Sequence, residues 1–176
     1  MIAAINANFY THTPYRFHPV GLAMADDKRW THTADDTGID SFAFGNGRAD
    51  IAATGPEPWW RWAVSGHPRS LKDGRLPSWD CTGLCAVKEP RTAIGVSEDR
   101  KFVYFAVVDG RAPSWSVGMS QLGLAGVLRR MGASDVINLD GGGSSAMWIA
   151  GRGTVNRPSD GTPRVVANHV GIKRRR

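Results

Sequence analysis

The segment Asp135-Val136-Ile137-Asn138-Leu139-Asp140-Gly141-Gly142-Gly143-Ser144-Ser145-Ala146-Met147-Trp148-Ile149 limits most strictly how this chain can fold. Two apolar runs of strand length flank a carboxylate, three glycines and two hydroxyls, so two buried strands meet across a bend. Consecutive glycines lose more backbone freedom on folding than any other residues, and an ordinary connection does not need them. They fit a bend that requires positive φ or a close approach to the backbone. Asp140 then stands at a strand end, with Ser144 and Ser145 at the mouth of the next element. Carboxylate, bare backbone N–H groups and hydroxyls suit a polar, anionic ligand. The alternative is a tight strand–strand turn with no chemistry.

A length of 176 residues suits one domain, predicted over residues 1–172 with a basic tail at 173–176. A domain of this size buries roughly 70% of the surface its unfolded chain exposes, enough for a core without staples. The 21 glycines and 10 prolines imply many turns. The predicted fold class is therefore α+β: a strand-rich, twisted mixed β-sheet carrying one main helix. The formal net charge of +6 does not point to nucleic acid, because Lys173, Arg174, Arg175 and Arg176 supply four of those charges. A short basic end is ordinarily solvated, and deleting residues 173–176 tests any polyanion binding. Cys81 and Cys85 leave two free thiols or one local disulfide open. The five histidines, at 12, 18, 32, 67 and 169, are scattered, so neither a metal site nor a cofactor is predicted. No stretch has the length of a membrane span, and the N-terminus lacks the basic start of a signal peptide.

Along the chain, Ile2–Ile5 reads as a buried strand that delivers Asn6 and Asn8 to its end. Those amides form either a turn or the wall of a cleft. Residues 11–19 read as loop, Val20–Ala25 as a strand, and Asp35-Asp36 as a solvated turn. Trp59-Trp60-Arg61-Trp62 is core at a sheet edge or an aromatic wall for a sugar ring. Ser65 and His67 end a short strand, but no nucleophile elbow accompanies them. Arg91–Val96 and Phe102–Val108 form a hairpin, which places Arg91, Asp109 and Arg111 at one sheet edge. Gln121–Met131 is the predicted helix, with an apolar stripe through Leu124, Ala125 and Leu128, Ser120 as N-cap and Gly132 as stop. The order strand–helix–strand predicts Val103–Val108 and Val136–Leu139 as parallel neighbours with Asp109 and Asp140 at corresponding ends. Asn156 and Arg157 precede a turn at Pro158–Gly161, where a solvated arginine is the plainer reading.

These residues carry a likeness. The chain resembles the phosphodiester glycosidase family through Asn6-Ala7-Asn8-Phe9, Ser65-Gly66-His67-Pro68 with Lys72-Asp73-Gly74, and Arg91-Thr92-Ala93-Ile94-Gly95. The likeness continues through Val108-Asp109-Gly110-Arg111, Asn138-Leu139-Asp140-Gly141-Gly142-Gly143-Ser144-Ser145 and Asn156-Arg157-Pro158-Ser159-Asp160-Gly161. It runs from residue 5 to about residue 172, and the Asn-Leu-Asp-Gly-Gly-Gly-Ser-Ser block is its most specific part. One departure stands out: Gly123-Leu124-Ala125 occupies the place where the family usually has a Glu-Leu-Ala run. The resemblance implies a hydrolase of glycosyl phosphodiesters or related surface and exopolysaccharide glycans, in a family often exported.

That chemistry agrees with the residues. A departing phosphate monoester has a second pKa of about 6 and needs less protonation than an alkoxide. Guanidinium and backbone N–H groups suffice to stabilise it. Asp140, Asp109 and Arg91 are the predicted catalytic residues, with the carboxylates stabilising an oxocarbenium-like centre or activating water. Asn6, Asn8, Ser65, Arg111, Gly141, Gly142, Gly143, Ser144, Asn156 and Arg157 are the predicted substrate-binding residues. A glycan or glycosyl phosphate is the predicted partner. The alternative is a carbohydrate- or phosphate-binding module of the same fold without turnover, which Gly123 favours.

Overall fold

Apolar, largely β-branched sequence at Arg91–Ser97 and Val103–Val108 pairs as an antiparallel hairpin. The Ser97 hydroxyl closes its turn by donating to Asp99 (2.7 Å) and accepting from the Phe102 amide (3.0 Å). The hairpin lies at the centre of the computed structural model, which describes residues 1–31, 39–53, 55–78 and 80–174. The first strands are β1 (Ala3–Asn6), β2 (Tyr10–Thr13), β3 (Arg16–Pro19), β4 (Ala23–Ala25) and β5 (Lys28–Arg29). Next come β6 (Asp40–Gly45), β7 (Arg48–Ala52), β8 (Trp62–Gly66), β9 (Arg69–Leu71), and the hairpin strands β10 and β11. Helix α1 (Gln121–Arg130) follows, then β12 (Ala133–Asn138), β13 (Met147–Ile149), β14 (Gly153–Thr154) and β15 (His169–Ile172).

The strands form sheets ordered β11-β10-β12-β9, β14-β13-β1-β15 and β5-β4-β8-β6-β7, plus the β2–β3 hairpin. Every pairing among the described residues is antiparallel. Among the described residues the architecture is thus strand-rich with one α-helix, as composition predicts, but the sheets are antiparallel rather than mixed. The predicted parallel neighbours run in the same direction with β10 inserted between them. The reason lies in β10, which is buried along its whole length and offers both edges, one to its hairpin partner and one to β12.

Ile5, Phe42, Ile51, Val64, Ile94, Ile137 and Leu139 form one core shared by three sheets. A second core seats α1 on the central sheet through Leu124, Ala125 and Leu128 against Leu71, Ala93 and Val136. Each fully buried leucine there contributes about 1.5–3 kcal/mol. The helix starts as its sequence predicts: the Ser120 hydroxyl accepts from the Gly123 amide at 3.1 Å, and Gly132 leaves with φ 108°. Residues 11–19, expected as loop, instead form β2 and β3, where Tyr10 packs on Phe17 at 5.4 Å. The predicted Val20–Ala25 strand begins only at Ala23. Trp60 is core, while the Arg48 and Arg61 guanidinium groups lie over the Trp59 and Trp62 rings. Asp35 and Asp36 lie outside the described residues. Among the described residues no helix is long and apolar enough to cross a membrane.

Candidate functional site

Strand register brings three of the predicted residues to one end of the central sheet. Arg91 opens β10 opposite Val108, so Asp109 lies one step beyond. On the other side Ala93 faces Asn138, and the Leu139 amide donates to the Thr92 carbonyl (2.8 Å), which brings Asp140 to the level of Arg91. Antiparallel pairing through β10 thus achieves what the predicted parallel neighbours would have done.

Asp140 is the most perturbed carboxylate of this end. Burial pushes its pKa above the ordinary aspartate range. The Ser144 hydroxyl, the Gly141 amide and the Arg164 charge pull the other way and only partly offset it. Its backbone is fixed on both sides: its N–H donates to the Ala7 carbonyl (3.0 Å) and its carbonyl accepts from Asn6 Nδ2 (2.6 Å).

Three residues predicted to bind substrate, Asn6, Asn8 and Ser65, are buried with their side chains bonded within the protein. Asn6 is 1% exposed, and its Oδ1 accepts from the Thr92 hydroxyl (2.7 Å) and the Ala146 amide (3.2 Å). Asn8 is also 1% exposed; its Nδ2 donates to the Val20 and Leu22 carbonyls and its Oδ1 accepts from Asn168 Nδ2. The Ser65 hydroxyl accepts from the Leu22 amide (2.8 Å) and shares a hydrogen bond with Ser41. Their polar groups are hydrogen-bonded inside the protein and tie together the strands and loops beside the site.

The glycine bend is shaped by protein neighbours. Gly142 opens a short 3-10 turn through Ser144 at φ 58°, a left-handed conformation that favours glycine. A side chain at Gly141 would start 2.9 Å from the Pro90 carbonyl, and one at Gly142 would start 3.1 Å from the Arg111 guanidinium. At Gly143 the Asp160–Arg164 ion pair already fills that space. The Gly142 amide donates to the Pro90 carbonyl (2.9 Å), and those of Ser144 and Ser145 donate to Gly141 and Gly142. Of the three glycine amides expected to be bare, that of Gly142 is therefore engaged and that of Gly141 turns to the Asp140 carboxylate. Gly141 and Gly142 are half-buried, Gly143 and Ser144 buried.

Asp109 organises the neighbouring loops. Its carboxylate accepts from Trp115 Nε1 (2.9 Å), Asn156 Nδ2 (3.1 Å) and the Arg157 amide (2.8 Å). Asn156 also accepts from the Met147 amide (2.8 Å), so it ties the last loop to β13. Arg157 is exposed, its guanidinium outside any ion pair among the described residues. Arg111 holds φ 59°, costly for a non-glycine residue; its Nε donates to Glu89 Oε2 (2.5 Å) and its Nη2 lies against the Gly142 bend.

Beside this cluster opens a cleft of about 850 Å³. Its walls include Phe9, His67, Pro68, Leu84, Arg91, Gln121, Asn138 and Gly141. The Cys81–Cys85 disulfide closes the loop that supplies Leu84 and Cys85. Arg91 holds that loop, its Nη2 donating to the Leu84 and Val87 carbonyls and its Nε to the Met119 carbonyl. Burial lowers the Arg91 pKa, with Arg111 acting in the same direction and Glu89 against it. Sequence reasoning missed His67, Gln121 and Asn138 as cleft residues. A polar Asn138 between Ile137 and Leu139 in a buried strand was the available signal. Among the described residues no group of three His, Cys, Asp or Glu side chains is placed to hold a metal ion.

A family model described as phosphodiester glycosidase matches residues 1–173. No curated protein matches the chain. The fold is similar to the catalytic domain of zebrafish N-acetylglucosamine-1-phosphodiester alpha-N-acetylglucosaminidase, auto-inhibited by its pro-peptide. That similarity has TM-score 0.80 and 21% identity, covering 99% of this chain and 64% of that one. A Synechocystis protein matches with TM-score 0.61 and 13% identity, over 96% of this chain and 50% of its own. A Burkholderia pseudomallei protein matches with TM-score 0.56 and 17% identity, over 96% of this chain and 65% of its own. This chain therefore spans between half and two-thirds of the solved chains it resembles.

Proposed function

Because this chain belongs to the phosphodiester glycosidase family, we propose that it is a glycosidase that hydrolyses a glycosyl phosphodiester or a related surface or exopolysaccharide glycan. Residues 1–172 form the working domain in this reading, and 173–176 a basic tail. The observation that carries it is the meeting of Arg91, Asp109 and Asp140 at one end of the central sheet, next to an open cleft. An N-acetylglucosamine-1-phosphodiester, the substrate class in the zebrafish enzyme's name, is the first candidate.

In the reaction, water adds to the anomeric carbon, the carbon–oxygen bond to phosphate breaks, and a phosphate monoester leaves as an anion. Asp140 is the carboxylate that faces the reacting centre, either accepting the proton of water or stabilising positive charge on the sugar. Arg111 and Arg157 neutralise the departing phosphate. Asp109 holds Asn156 and the Arg157 backbone, so it positions that clamp. Arg91 shapes the cleft wall. The test is release of free sugar and methyl phosphate from N-acetylglucosamine-1-phosphate methyl ester, with Asp140→Asn abolishing it and the fold retained. Gly123 supports a second reading, a binding module without turnover, because the family's usual glutamate is missing at the helix start. Sugar phosphate binding with no product release distinguishes it.

A further inference from the structure

Strand β11 is apolar from end to end, yet none of its residues is buried, whereas its hairpin partner β10 is buried throughout. Among the described residues β11 pairs with β10 alone, so its second edge is open. The groups on that edge follow from the register. The Thr92 carbonyl accepts from the Leu139 amide, so alternate residues of β10, Thr92, Ile94 and Val96, turn their backbone groups toward β12. Opposite them stand Val107, Phe105 and Val103, whose N–H and C=O groups therefore point away from β10. None of these six groups has a partner among the described residues. Nor does Val103-Tyr104-Phe105-Ala106-Val107-Val108 carry a charge or a proline, the usual guards of an open edge.

This edge borders a groove of about 430 Å³, at the other end of β11 from Asp109 and the glycine bend. Val103 and Phe105 form one side, and β15, itself the outer strand of its sheet, forms the other. The floor includes Phe42 and Val64 together with Phe44 and Trp62, which are 39% and 38% exposed. Lys101 and Lys173 line the groove, and no Asp or Glu does. Lys101 lies 3.4 Å from Asp99, but that pair is exposed and worth little. We infer that the groove takes an extended apolar peptide segment with acidic ends, supplied by a partner protein as an added strand on β11. Its backbone pairs with Val103, Phe105 and Val107, its alternate side chains cover the aromatic floor, and its carboxylates meet Lys101 and Lys173. An acyl chain would cover the same floor but leave the edge groups dry and unpaired, at about 1–3 kcal/mol each. A second copy would bring its own β11 with β10 alongside, and β15 walls off the room for that pair.

The inference is independent of the glycosidase reading, because it is tested by binding alone. A displayed library of random heptapeptides is selected on the full chain, with counter-selection on Val103→Pro. That substitution removes an outward N–H and no bond of the hairpin, and circular dichroism checks that the variant folds. The double variant Lys101→Glu, Lys173→Glu changes only exposed side chains and serves as the second. The enriched sequences alternate β-branched or aromatic residues with polar ones and carry Asp or Glu at an end. A synthetic copy slows amide hydrogen exchange at Val103, Phe105 and Val107. N-methylating one of the two alternate sets of its amides weakens it at least tenfold while the other set is tolerated, and the double charge reversal weakens it about tenfold. No enriched sequence, indifference to N-methylation or to charge reversal, or unchanged exchange at those three amides overturns the inference. Displacement of the peptide by dodecanoate overturns it in favour of an acyl chain. A dimer in sedimentation that Val103→Pro dissolves overturns it in favour of a second copy.

Discussion

Asn6 shows how one amide can govern a site it does not enter. It accepts from Thr92 on β10 and from the Ala146 amide, and it donates to the Asp140 carbonyl. Asn6→Ala strips a partner from each of these three buried or partly buried groups and is expected to cost about 2–3 kcal/mol. Urea unfolding checks this as a lower midpoint with unchanged slope. Asp140 makes a different prediction. Because burial raises its pKa, the acid limb of kcat/KM is expected at a higher pH than an ordinary solvent-exposed aspartate would give. A limb at the position of an ordinary aspartate, or below it, shows that another group governs it. Asn6 and Asp140 were both legible in the sequence, as polar residues ending apolar runs. Which of them faces outward was not, because that depends on partners more than a hundred residues away.

At the scale of elements, β12 is held by a buried charge. Asp135 is fully buried and bonds Arg69 on β9 and Arg100 in the β10–β11 turn. Burial alone would raise its pKa, but hydrogen bonds from Arg100, Arg69, Ser134 and the Asp73 amide lower it to about 2. Its unfolded value is about 3.9, so the stabilisation is complete above that pH and is lost as pH falls toward 2. It amounts to about 2–3 kcal/mol, and Asp135→Asn flattens the stability profile in that window. Unfolding free energies measured between pH 2 and 5 check this; an equally steep profile in the variant refutes it. Gly66 makes a second test. A side chain there would overlap the Asn138 carbonyl, where β8 meets β12. Gly66→Ala is therefore expected to destabilise by about 3 kcal/mol, read as a lower thermal midpoint. The hairpin and helix were legible from periodicity and caps. The insertion of β10 between β11 and β12 was not, since element order alone does not reveal that the hairpin's first strand uses both edges.

For the whole molecule, the chain folds three sheets onto one core, and the loops at one sheet end make a site that no single segment contains. Its cleft residues come from the β8–β9 connection, the disulfide loop, β10, α1 and β12, which explains why a linear reading found the strand-end carboxylates but not Gln121 or His67. Asp140 lies where these loops converge, and its ionisation in a buried setting works against folding. Asp140→Asn should accordingly keep or raise the thermal midpoint at pH 7 while removing the catalytic carboxylate. The decisive measurement is product release from a glycosyl phosphodiester by wild type and Asp140→Asn, alongside their melting curves. The account predicts free sugar and phosphomonoester from the wild type, and at least a thousandfold loss, roughly 4 kcal/mol of transition-state stabilisation, in an equally stable variant. Undiminished turnover in that variant, or none in the wild type, contradicts it.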